Sequence, residues 1–110
     1  MVAVLQDGTQ AYVANEGNAA AGIAGSISVI NLQTNTVVAT LPAGSTTGIA
    51  DTLVHGHPTW IAATTGTPTG KVYVTATDSS DLTIISTDTN AVTTHLPLQG
   101  TGVSVRVTAP

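Results

Sequence analysis

The sequence predicts an all-β chain made of two copies of one four-stranded unit, and three observations carry that prediction. The stretch Gly70-Lys71-Val72-Tyr73-Val74-Thr75-Ala76-Thr77 has the composition of a strand, and a weaker copy stands at Thr9-Gln10-Ala11-Tyr12-Val13-Ala14-Asn15. The flanks repeat too: Ile27/Leu82, Val29/Ile84, Ile30/Ile85, Thr34/Thr89, Asn35/Asn90, Val37/Val92, Leu41/Leu96 and Pro42/Pro97 share one offset of 55 positions. Finally, 42% of residues are hydrophobic but only 3% aromatic, with no Phe, so Val, Ile, Leu, Ala and the methyl groups of Thr must build the core. β-Branched side chains fit a pleated surface and lose rotamer freedom in a helix.

In chain order, Val2–Leu5 reads as a short apolar strand closed by Gln6-Asp7-Gly8-Thr9, and Asp-Gly is a hairpin signal. Gln10–Ala14 returns. Asn15–Gly25 contains alanines, but Gly17, Gly22 and Gly25 each penalise a helix, so a loop is expected. Ser26–Leu32 places Ile27 and Val29 on one face and Ile30 and Leu32 on the other, the mark of a strand covered on both sides. Gln33-Thr34-Asn35 turns the chain into Thr36–Leu41, with Val37, Ala39 and Leu41 expected on one side and Thr36, Val38 and Thr40 on the other. Pro42-Ala43-Gly44 ends that strand, and Ser45–Gly56 reads as an irregular crossover. The cycle then restarts with strands Trp60–Thr64, Lys71–Thr77, Leu82–Thr87 and Ala91–Leu96, followed by one more alternating strand, Val103–Val107.

Four strands per unit, a period of this length and turn signals between strands fit a β-propeller blade better than a helical solenoid. The expected architecture is a partial propeller of two four-stranded antiparallel blades (1–44 and 57–100), an inter-blade loop (45–56) and one extra inner strand of a third blade (101–110).

The repeat resembles the YVTN family of β-propeller repeats. Tyr73-Val74-Thr75 and Tyr12-Val13 with Asn15 carry the signature strand, with Ala76 and Ala14 departing from it. His57-Pro58, Asp7-Gly8, and the series Ser28-Val29-Ile30-Asn31, Thr34-Asn35, Val37, Leu41-Pro42 and Gly44 supply the remaining pattern. The second copy lacks Asp-Gly, which leaves the shape of that turn open. The resemblance implies a seven-bladed protein, exported or surface-attached, most often without a defined activity. Propellers close with about four to eight blades, so two alone would leave apolar faces bare. The expectation is a piece of a longer propeller, with a ring of several copies as the alternative.

Charge excludes some partners. Lys71 and Arg106 are the only cations against six acidic residues, for a net charge of −4. No basic patch is available for nucleic acid or for an anionic membrane. No apolar run reaches the length of a membrane span, and Met1–Gly8 has no cationic signal-peptide region. Without cysteine there are no disulfides or thiolate sites. Localisation outside the cell (extracellular, periplasmic or at the cell surface) follows only from the resemblance and the Thr/Ser/Asn-rich surface.

Few residues carry candidate chemistry. His55-Gly56-His57 puts two imidazoles at i and i+2 with Asp51 near in sequence, but zinc wants three or four ligands. The bland reading is a loop histidine at 55 and the His-Pro of the repeat at 57. His95 stands where the first copy has Thr40, which suggests an exposed position. No serine lies in a Gly-x-Ser-x-Gly elbow. Arg106, on the last strand, is the candidate for holding an anion in the channel, or else an edge cation that deters pairing. Trp60 is expected to fill a blade interface, and Asp78 and Asp81 to bond local backbone at their turn. The reading that results is a non-enzymatic binding or scaffold module with no cofactor. Its partner would be a protein or small molecule, further blades, or copies of itself. A lactonase-like enzyme with a channel metal and a self-assembling structural protein are the rivals.

Overall fold

The computed structural model describes residues 1–5, 8–44, 53–64, 70–98 and 100. Among these, nine strands form two sheets. The first runs in spatial order through β1 (Val2–Val4), β2 (Gln10–Asn15), β3 (Ser26–Asn31), β4 (Thr36–Gly44) and β5 (Val54–His55). The second runs through β6 (Trp60–Ala63), β7 (Lys71–Thr75), β8 (Asp81–Ser86) and β9 (Ala91–Pro97). Each is a four-stranded antiparallel meander, with β5 added in parallel to the outer edge of the first. The architecture is that of two stacked propeller blades. The strand expected within 101–110 lies outside the described residues.

Local chemistry explains the turns. Gly8, at φ +73°, donates its N–H to Leu5 O and closes the first hairpin in a conformation that costs glycine little. Asn35 and Asn90 hold equivalent places after β3 and β8 with φ of 55° and 52°. Asparagine tolerates this left-handed region better than most residues. The Asn15–Gly25 segment is a loop with a single 3-10 turn at Ala19–Ala21, where Asn18 Oδ1 accepts the Ala21 N–H.

The core lies between the sheets. Tyr12, Ile27 and Val29 of the first face Ile61, Val72, Val74 and Ile85 of the second, all at most 2% exposed. Register sets this up by pairing Tyr12 with Val29, Ile61 with Val74, and Val72 with Ile85 across neighbouring strands. Cross-strand partners share a face, so each pairing adds a block to the same apolar layer.

Three expectations need correction. Both copies carry a β-bulge, between Val29 and Ile30 and between Ile84 and Ile85. An extra residue reverses the facing of everything beyond it. Val37 therefore pairs with Ile30, opposite to Ala39 and Leu41, and stands 60% exposed. Second, β4 does not stop at Pro42 but continues to Gly44 along the edge. Third, the crossover is not wholly irregular, since β5 docks on the end of β4 through Ala43–Val54 and Gly44–His55 pairs. Trp60, 36% exposed, lies on the second sheet's outer face beside Thr75.

Candidate functional site

Two histidines and two aspartates meet where β5 and the turn after β7 come together. β5 carries His55, and Gly56 and His57 follow directly. Gly56 has φ +78° and donates its N–H to Gly44 O, which turns the chain sharply between the two imidazoles. A Cβ at Gly56 would stand 2.6 Å from Asp78 Oδ1 and 2.9 Å from the Cβ atoms of Ala76 and Ser79. The close approach of the Asp78 turn is therefore possible only because residue 56 has no side chain.

Asp81 Oδ2 lies 2.6 Å from His55 Nδ1, and the His55 backbone N–H donates to the buried Thr83 Oγ1 at 3.1 Å. The His55 ring stacks on His95 with centroids 3.7 Å apart and planes 9° from parallel. His95 Nε2 in turn lies 2.8 Å from the Leu53 carbonyl. In the same cleft, Asp78 engages two nitrogens of His57: its Oδ1 accepts the backbone N–H at 2.9 Å and its Oδ2 lies 2.6 Å from Nδ1. His57 Nε2 is 3.2 Å from the carbonyl of Ile23, in the Asn15–Gly25 loop of the first sheet. These groups line a cleft of about 260 Å³ bounded by His55, Gly56, His57, Asp78, Ser79, Ser80 and Asp81.

His55 and His57 line one cleft, but the turn at Gly56 keeps the segment from being extended, and the sequence left their partners unseen. Asp78 and Asp81 do more than fix local backbone, since each reaches a histidine more than 20 residues away. His95 is not a plain surface residue. It pairs with Thr83 on the face turned toward β5, so its ring meets His55, whereas Thr40 at the equivalent place is exposed. Asp51 and Arg106 lie outside the described residues. Among the described residues no three His, Cys, Asp or Glu side chains are grouped to hold a metal ion.

His57 is raised above the usual imidazole value, chiefly by its side-chain hydrogen bond with Asp78, against the burial that lowers it, and further by the charge of that carboxylate, Ile23 O and Glu16. For Asp78, burial pulls upward, but the His57 backbone N–H, its ring and its charge together outweigh this and hold the carboxyl low. With acceptors at both ring nitrogens, only the imidazolium can donate to both. The raised His57 contributes stability that is complete below its unfolded value of 6.5 and is lost as pH rises through the higher folded value. The lowered Asp78 contributes stability present above its unfolded value of 3.8 and lost as pH falls through the lower folded value. Thermal melting as a function of pH is therefore expected to be highest between those two unfolded values. His57→Gln should flatten the alkaline flank, and an unaltered flank would mean that the ring bonds contribute nothing.

No protein-family model matches the sequence, and no curated protein matches it. Hydrazine synthase from Kuenenia stuttgartiensis is similar in structure, with a TM-score of 0.72 over 96% of this chain and 12% identity. That likeness is one of fold alone. The match spans 25% of the length of that protein's matched chain. No helix among the described residues is long and apolar enough to cross a membrane.

Proposed function

We propose that this chain is a non-enzymatic binding and scaffold module of an exported or cell-surface β-propeller of the YVTN-repeat kind. The observation that carries the reading is the cleft at the end of the sheets, where the polar groups are already fixed in pairs. Asp78 has both oxygens engaged by His57, and His57 bridges to the first sheet as well. Such groups present a rigid pattern of donors and acceptors, which suits recognition of a small polar ligand. Export is supported by the tyrosine-centred motifs and by a surface rich in Thr, Ser and Asn with few charges.

Titration with free amino acids and monosaccharides, followed by NMR of the histidine ring protons, tests this. Shifts confined to His55 and His57, and abolished by Ser80→Trp at the rim of the cleft, are the expected result. No shift with any ligand would count against it, and so would hydrolysis of a lactone or ester substrate that disappears in His57→Gln.

A further inference from the structure

The contact between the two sheets shows what the two outward faces are shaped to meet. By register, Val2, Val4, Val13, Ile30 and Val37 occupy in the first sheet the places of Ile61, Ala63, Val74, Ile85 and Val92 in the second. The second set lies against the first sheet, with Ile61, Val74 and Ile85 at most 2% exposed. The first set faces outward, with Val2 and Val4 55% exposed. The opposite faces correspond in the same way. Tyr12, Ile27 and Leu41 are packed between the sheets, while their equivalents Tyr73, Leu82 and Leu96 lie on the outer face of the second sheet, where Leu96 is 48% exposed, Tyr73 and Leu82 are half-buried, and Ile84 and Thr75 are buried.

The polar contacts follow the same rule. Within the chain the Tyr12 hydroxyl reaches across the sheets to Asn90 Oδ1 at 2.6 Å. The equivalent groups are Tyr73 on one open face and Asn35, in the same left-handed conformation as Asn90, beside the other. Thr75 Oγ1, on the Tyr73 face, is buried without a hydrogen-bond partner among the described residues. Lys71 takes the place of Gln10 at the rim, and Val2, Val4, Ile30, Val37, Trp60 and Leu96 bring no charge into either face.

We propose that the open face of the first sheet is a docking surface for the open face of the second sheet in another copy of this chain. The contact continues the interface already present between the two sheets, with Tyr73 of one copy donating to Asn35 of the next. It is heterologous, so repetition closes a ring or extends a stack. The inference does not depend on any ligand in the cleft.

Native mass spectrometry and size exclusion with light scattering test it on the full chain. The wild type is expected to form oligomers that grow with concentration. Val37→Asp blocks one face and Leu96→Asp the other, so each variant alone should be monomeric. An equimolar mixture should give a one-to-one dimer, because each supplies the face the other lacks. Tyr73→Phe on the Val37→Asp chain should weaken that dimer about three- to tenfold, and Asn35→Gly on its partner should add little once Tyr73 is gone. Val2→Asp and Trp60→Asp serve as second variants of the same faces if far-UV circular dichroism shows either first variant unfolded. A wild type monomeric at every concentration overturns the proposal, as does a blocked variant that still self-associates or a mixture that fails to pair.

Discussion

Tyr12→Ala is expected to lower the unfolding free energy by about 4 kcal/mol, enough to unfold a large fraction of a domain of ordinary stability. Tyr12 is fully buried at the centre of the contact between the sheets, with Val29 beside it on β3. Removing its ring opens a cavity lined by residues of both blades, which a stiff β-branched core cannot collapse to fill. Tyr12→Phe keeps the ring and removes only the hydroxyl. One phenolic proton can serve only one of the two amide oxygens near it, Asn90 Oδ1 at 2.6 Å or Gln10 Oε1 at 2.9 Å, and the shorter contact joins the two sheets. The cost of Tyr12→Phe should be about 1 kcal/mol. Urea unfolding of the three proteins measures both numbers. Equal losses for Phe and Ala would mean that the hydroxyl, not the packing, holds the blades together.

Gly56→Ala is expected to cost about 3 kcal/mol. About 1–2 kcal/mol comes from placing an L-residue at φ +78°, and the rest from forcing a methyl into a space already closed by Asp78, Ala76 and Ser79. Gly8→Ala separates the two parts, because Gly8 has nearly the same φ of +73° but nothing within 4 Å of where its Cβ would stand. Gly8→Ala should therefore show the backbone penalty alone. Gly56→Ala should also displace Asp78 and abolish the alkaline fall in stability expected for the native protein. A Gly56 variant no less stable than the Gly8 variant would show that the turn after β7 moves aside freely.

Much of this fold was legible because the information is local. Leu82, Ile84 and Ile85 declare a strand covered on both faces, and the shared offset of 55 from Ile27 to Leu41 declares a second unit of the same kind. The bulges were not legible. Val37 and Ala39 alternate correctly along β4, and only the pairing with β3 shows that one residue is extra. β5 is two residues long and has no pattern of its own, since it exists because the end of β4 offers it hydrogen bonds. For the site, His55 and His57 announced themselves by spacing, but each partner arrives through tertiary contact across 26 and 21 residues. A hint was nevertheless present. Asp78 and Asp81 flank a turn at the strand end nearest the histidines once the meander is drawn, and two carboxylates facing two imidazoles could have been proposed from topology alone. His95 reads as exposed by comparison with Thr40, but its ring packs on His55 of β5, a tertiary contact that the spacing of the repeat does not carry.

β5 has a consequence for where one structural unit ends and the next begins. Its backbone hydrogen-bonds to the blade the chain is leaving, while His55 is fastened to Thr83, Asp81 and His95 of the blade the chain is entering. The junction thus works as a rivet through both layers instead of a tether between them. A repeat copied out of this chain at the boundary drawn by sequence similarity would carry away only half of that rivet, so the piece duplicated in heredity and the piece able to stand by itself are not the same piece.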